Sequence, residues 1–256
     1  MTFGEMMETF SHTQEEIQQH YSEMVKKSAN RFEERIKLLE NRDLRESTLI
    51  VYLGDHGELL GEHGLVSHST PSIPELVYVP TVFIHPDISK SGIQPETIGQ
   101  IDIVPTVLSA LNKSGSRLRP EGVNLFEEVP SERYNDGMHT YSIRGRDVKI
   151  YQSAGLWDGE GGHTFTSHFG RLLTPLIIAK RSRGWNREFL KTNPRQIPQA
   201  IRTLATHHTE YSNPGFSKKV ARETIQRIQE EGKGSEVEKA KLDEEVEDRL
   251  EDLGYR

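Results

Sequence analysis

The 256-residue chain contains no cysteine, so it carries no disulfide and no thiolate metal site, and its redox compartment is unreadable. It has no apolar run near the ~18 residues that a membrane span needs. Met1 to His20 is polar and lacks the apolar core of a secretory signal, so the expected location is cytoplasmic. Apolar residues make up only 34% and aromatics 7%, while charged residues reach 28%. That deficit points to a polar tail or to a surface normally covered by other sequence. A basic face is missing too. The net charge of −7 argues against a dedicated nucleic-acid binder, yet leaves anionic substrates open, since local fields decide those. The length suffices for a real core, in one large domain or two small ones.

What is present centres on Thr48-Leu49-Ile50-Val51-Tyr52-Leu53-Gly54-Asp55-His56-Gly57-Glu58. Five apolar residues, Leu49 to Leu53, stop at a glycine, which reads as a buried strand of a parallel sheet. Open α/β sheets bind ligands just past the carboxyl ends of such strands, and Asp55 and His56 stand there. A carboxylate beside an imidazole, between Gly54 and Gly57, suits a divalent cation. Gly, Asp and His are also common in a plain turn at a strand end, so the dipeptide by itself does not decide.

The residues that follow carry a resemblance. Gly54-Asp55-His56-Gly57-Glu58-Leu59-Leu60-Gly61-Glu62-His63-Gly64, continuing through Leu65-Val66-Ser67-His68, resembles the second metal-binding motif of the sulfatases, in the alkaline phosphatase superfamily. Members there read S-D-H-G-E-x-L-G-E-H-G, then a Lys or His, then an apolar segment ending in V-P. Here that segment is Leu76-Val77-Tyr78-Val79-Pro80. The resemblance implies that Asp55 and His56 bind the metal. Ca²⁺ is the metal it implies, with Mg²⁺, Mn²⁺ or Zn²⁺ suited to an isolated carboxylate–imidazole pair. The family's sulfate-contacting cation stands thirteen positions after the Asp, a place held by His68. His68 is thus the expected catalytic residue, able to orient or protonate a leaving group. Glu58, Glu62 and His63 read as loop-packing groups. Asp102, in the similar segment Ile101-Asp102-Ile103-Val104-Pro105-Thr106, reads as a helix cap. The likeness runs from about residue 15 to 126 and returns faintly at Arg249-Leu250-Glu251-Asp252-Leu253-Gly254-Tyr255.

Local patterning predicts a helix over Met1 to Glu46, with a cap-like start where Thr13 precedes Glu16 by three residues, and a polar turn over Asn41 to Ser47 into the central strand. Its stripe Ile17, Tyr21, Met24, Val25, Phe32, Ile36 and Leu39 should face a core. Leu59 to Ser72 reads as a loop and Val82 to Ile84 as a strand entered from Pro80. Later come short strands over Met138–Ser142 and Asp147–Gln152 around a turn at Arg144–Arg146, a glycine-rich loop from Trp157 to Gly162, and further strand over Phe165–Ile178. Helices are expected over Gln196–Ala205 and Lys218–Glu231, then a charged terminal helix over Lys233–Arg256. His163, His168, His207 and His208 show no ligand spacing. The expected fold class is α/β. Residues 1–126 would form the carboxy-terminal part of an alkaline phosphatase-like α/β sandwich, and 127–256 a small antiparallel sheet with terminal helices.

A sulfatase also needs two adjacent Asp ligands and a Cys or Ser, in C/S-x-P-x-R, that becomes formylglycine. This chain has no cysteine and no Ser-x-Pro-x-Arg. The resemblance therefore implies the carboxy-terminal portion of a sulfate-ester hydrolase, inactive alone, through a truncated gene, a partial sequence, or a split gene whose amino-terminal half is another chain. The alternatives are a phosphodiesterase or phosphonate hydrolase of the same superfamily, or a non-catalytic metal-binding subunit.

Overall fold

The computed structural model describes residues 13–68, 72–86, 88, 92, 96–112, 122–130, 134–142, 149–168 and 185–232. Thr13 starts the first helix. Its hydroxyl accepts from Glu16 N at 3.3 Å, and its own N–H donates to Glu16 Oε2 at 2.8 Å, the reciprocal box that the spacing predicts. Helix α1 then runs Gln14–Glu40 and stops short of Glu46, where a 3-10 turn, Arg45–Ser47, intervenes. Its apolar stripe is less covered than its periodicity suggests. Ile17 is its buried residue, Met24 packs partly buried on the core, and Val25 is exposed. Phe32 meets Tyr52, ring centroids 5.0 Å apart, so the helix lies against the strand that follows.

That strand, β1 (Ile50–Leu53), forms where expected, but it is neither parallel nor buried. It pairs antiparallel with β4 (Thr81–Ile84), Leu53 opposite Thr81 and Ile50 opposite Ile84, in a two-stranded sheet. Tyr52, Leu53 and Val82 are exposed. An apolar run of this kind signals burial on both faces. Among the described residues only one strand flanks it, so side chains that a wider sheet would cover meet solvent. Pro80 stands just before β4, where its missing N–H costs no ladder bond.

The reading of Leu59 to Ser72 as a loop is also corrected. β2 (Leu59–Leu60) and β3 (Val66–Ser67) form a short antiparallel ladder around a 3-10 turn, Glu62–Gly64. Leu59, Leu65 and Val66 are fully buried and sit in the largest core, with Ile17, Ile73, Tyr151, Phe189, Leu190, Ala200 and Leu204. Gly64 makes this possible: it has φ +73°, and an added Cβ would lie 2.6 Å from both Ala200 N and Gln196 O. Two short helices follow, α2 (Pro74–Val77) and α3 (Ile103–Ala110). Asp102 occupies the N-cap position of α3 but makes no side-chain cap bond, contrary to expectation. Its buried carboxylate instead accepts from Gly99 N and Val123 N, each at 2.9 Å, and so ties residues 122–125 down beside the helix.

The small antiparallel sheet appears as expected. Its order is β5 (Asn135–Ser142), β6 (Lys149–Trp157), β7 (Gly161–His168), β8 (His208–Ser212). Trp157 and Gly161–Gly162 belong to strands rather than to a loop. Asp158 closes the hairpin between them, its Oδ1 accepting from Glu160 N at 2.8 Å and Gly161 N at 2.9 Å. α4 (Trp185–Thr192) and α5 (Ile197–Ala205) pack on the β2–β3 hairpin. α6 (Lys218–Gly232) covers the sheet through Ala221 and Ile225. The expected turn at Arg144–Arg146, the strand beyond His168 and the charged helix after Gly232 lie outside the described residues. No described helix is long and apolar enough to cross a membrane.

Candidate functional site

The site gathers just past β1, on backbone held from several directions. Gly54 N donates to Pro80 O and Gly57 N to Leu76 O, both at 3.1 Å. Gln100 Nε2 donates to Asp55 O at 2.6 Å and to Gly54 O at 3.1 Å. Gly57 is required by contact: a Cβ there would stand 1.8 Å from Glu75 O. The β2–β3 hairpin then returns the chain so that the His68 ring lies against that of His56, centroids 4.2 Å apart and planes 39° apart. Ser67, the buried residue before His68, holds φ +73°, a strained value for a non-glycine residue and one that fixes the direction of the turn.

Hydrogen bonds fix the chemistry of each ring. His56 Nδ1 lies 2.8 Å from Gly57 O. A carbonyl only accepts, so Nδ1 carries the proton and Nε2 presents a lone pair in the neutral ring. Asp55 Oδ2 is 3.7 Å from that Nε2. His68 Nδ1 lies 3.0 Å from Glu58 Oε2. This hydrogen bond raises the His68 pKa, burial opposes it, and the charges of Glu58 and Asp55 reinforce the rise, so the imidazolium is favoured. The Glu58 side chain is only 10% exposed, and its Oε1 is buried without a hydrogen-bond partner. Leaving a buried acceptor unpaired costs about 1–3 kcal/mol, more when it is charged.

Glu62 and His63 pack the loop, as the sequence suggests. Glu62 Oε2 accepts from Leu60 N at 2.5 Å, and His63 Nε2 lies 3.1 Å from both Glu75 oxygens. The hydrogen bond to His63 lowers the Glu75 pKa against the effect of burial. A depressed carboxylate pKa gives stability that is present above the ordinary value of 4.5 and lost as pH falls through the lower folded value. Glu75→Gln should therefore flatten the acid limb of stability against pH. The pair is 26% and 37% exposed, so the effect stays below about 1 kcal/mol. Urea denaturation at a series of pH values below 5 measures it, and an identical acid limb in the variant would remove this pair as a contributor.

Asp55, His56 and His68 thus meet at one place, and the structure adds Glu58, which sequence reasoning had set aside. His56, Glu58 and His68 each offer a ligand atom within 4.8 Å of the others. One signal was readable in advance: residues 56 and 58 stand two apart, the spacing that puts side chains on one side of an extended chain. Elsewhere, β7 and β8 bring together His163 and His208, which showed no ligand spacing in the sequence, with Nδ1 and Nε2 3.1 Å apart.

Comparison with known proteins supplies the lineage. The sulfatase family model matches residues 3–113. Over 154 residues the chain is 40% identical to the low-salt glycan biosynthesis sulfotransferase Agl7 of Haloferax volcanii, covering 57% of this chain and 38% of the relative. Residues 3–113 are thus similar to the sulfatases. An uncharacterized sulfatase of Escherichia coli, YidJ, is 28% identical over 65 residues, 25% of this chain and 13% of the relative. The chain therefore spans well under half the length of the curated relatives it matches. Among solved structures, a 2-O GAG sulfatase aligns at 16% identity and a TM-score of 0.45, covering 72% of this chain and 42% of that one. A phosphonate monoester hydrolase from Silicibacter pomeroyi aligns at 18% and 0.43, with the same coverages. A divalent cation, which sulfatase resemblance implies, fits what is here: two imidazoles, two carboxylates, and a buried carboxylate oxygen that no protein donor reaches.

Proposed function

We propose that this chain forms one side of a site for sulfuryl transfer from sulfate esters, with Asp55 and His56 holding a divalent cation and His68 contacting the sulfate. The observation that carries the proposal is the placement of His68 against His56, which sets the expected acid beside the expected ligand. A His68 imidazolium, favoured by Glu58, attracts the anionic ester and can pass a proton from its ring to the leaving oxygen. The cation, when bound, supplies Lewis-acid charge to the ester oxygens. The chain contains no cysteine and no Ser-x-Pro-x-Arg, so it lacks a nucleophile of the family type.

In this reading residues 1–126 are the sulfatase-like unit and residues 127–256 the smaller sheet and helices. An amino-terminal half on another polypeptide completes the site. Supporting this is the β1–β4 sheet, which has no further strand beside it among the described residues and borders a cleft of about 1590 Å³ lined by Asp55, Val82, Phe83, Ile101, Phe126 and Trp157, among others. The name of the Haloferax relative favours a second acceptor besides water, a glycan hydroxyl.

The test uses a chromogenic aryl sulfate with calcium or magnesium, assayed for free sulfate and for sulfated glycan. The purified chain alone should give neither product. Co-expression with the amino-terminal segment of the Haloferax relative should restore one of them, and Asp55→Ala should remove it. Turnover by the chain alone that Asp55→Ala abolishes would overturn the incompleteness. A complex that forms without turnover would favour a metal-binding subunit, and turnover of phosphonate esters only would favour a phosphonate hydrolase.

A further inference from the structure

We infer that His56, Glu58 and His68 form a transition-metal site of the zinc class, which competes for His56 with the hard-cation role proposed for Asp55 with His56. The inference does not rest on the sulfuryl-transfer reading: there Glu58 only favours the His68 imidazolium, whereas here Glu58 and a deprotonated His68 are themselves the ligands.

Three observations carry it. The first is the donor set. Two imidazoles and one carboxylate, with room for a fourth ligand, are the protein share of a catalytic-type zinc site, whereas calcium seeks six to eight oxygens. The second is the geometry. Three ligand atoms lie within 4.8 Å of one another, and Glu58 Oε2 already stands 3.0 Å from His68 Nδ1. Bonds of about 2.0–2.1 Å around a tetrahedral ion require donors about 3.3 Å apart. That edge is therefore nearly in place, and small side-chain rotations close the others. The third is the surrounding support. Gly57 O accepts the Nδ1 proton of His56 and so presents Nε2 as the ligand atom, the role a carbonyl plays behind a metal-bound histidine.

Glu58 supplies an independent pointer to a ligand. Its side chain is nine-tenths buried and its Oε1 has no partner, so the fold encloses a carboxylate oxygen that no protein donor reaches. A cation chelated by both Glu58 oxygens satisfies Oε1. It takes the place of the proton between His68 Nδ1 and Glu58 Oε2, so binding releases a proton. The hairpin that carries His68 lies in the main core, which holds the third ligand in position from residues far along the chain.

The experiment is isothermal titration of the chelator-treated full chain with Zn²⁺, and separately with Ca²⁺, together with the visible absorption spectrum of the Co²⁺-loaded protein. We expect one Zn²⁺ per chain, bound at least about 100-fold more tightly than Ca²⁺, and a cobalt spectrum of four- or five-coordinate intensity. Glu58→Gln, His56→Ala and His68→Ala should each weaken Zn²⁺ by about 10–100-fold or more, whereas Asp55→Asn should change it by less than about threefold. Thermal melting without metal identifies any variant that has lost its fold. Glu58→Gln keeps the side chain's shape and replaces a charged buried group by a neutral one, so it is the decisive variant. Zn²⁺ affinity indifferent to Glu58→Gln and His68→Ala would overturn the inference and assign binding to other histidines of the 11 in the chain. Loss on Asp55→Asn equal to that on Glu58→Gln would also overturn it, returning the ion to the Asp55–His56 pair. A weak octahedral cobalt spectrum would do the same.

Discussion

Gly57→Ala is expected to destabilise the chain by about 3 kcal/mol or more, at the upper end of overpacking effects, and to loosen the site on both sides of it. The added Cβ would stand 1.8 Å from Glu75 O, 2.9 Å from Glu75 C and 3.2 Å from Leu76 Cα. These are backbone atoms, so no rotamer change relieves the contact, and either the Asp55–Glu58 segment or α2 must move. Moving apart also breaks the Gly57 N to Leu76 O bond of 3.1 Å. His56 and Glu58 flank the residue, so the same shift alters the His56 Nδ1 contact with Gly57 O and the Glu58 contact with His68. Chemical denaturation measures the stability. A loss below about 1 kcal/mol would mean that the two segments are not packed as tightly as their contact indicates.

The sequence made local features legible where the cause is local. The Thr13–Glu16 box, Pro80 ahead of β4 and the antiparallel hairpins of the second half all follow from contacts within a few residues. The apolar run Leu49 to Leu53 identified a strand but not its surroundings, because hydrophobicity reports what a strand could bury and not which neighbours the chain supplies. Asp102 was legible as a residue at a helix start, while its use was not. Val123 N, which its carboxylate binds, is 21 residues away, and no local pattern announces that bond.

The candidate site divides in the same way. Asp55 and His56 stand out at a strand end, and His68 stands out through family spacing alone. Glu58 was hidden because its importance comes from burial and from the return of His68, both produced by the hairpin fold. The hairpin itself looked like a loop because glycine and histidine dominate it. Its three fully buried residues, Leu59, Leu65 and Val66, find their partners in α4 and α5, more than a hundred residues later.

That long-range dependence makes Asn186 the second position with a large expected effect. Asn186 lies in the first turn of α4, is fully buried, and its Oδ1 accepts from Val66 N at 2.8 Å across 120 residues of sequence. Asn186→Ala should cost about 2–4 kcal/mol, combining an orphaned buried N–H with a small cavity. The loss should appear first at the hairpin. Val66 is paired with Leu60 across a ladder of only two residue pairs, too short to hold its register alone. Freed from Asn186, the hairpin should open locally at lower free energy than the rest of the core, and His68 should lose its fixed place beside His56 and Glu58. Native-state hydrogen exchange reads this directly: the Val66 amide should be protected to nearly the global free energy in the wild type and exchange by local opening in Asn186→Ala. An amide equally protected in both proteins would show that packing of Leu65 and Val66 holds the hairpin without the asparagine. In that case the helices would support the site through apolar contact and not through this hydrogen bond.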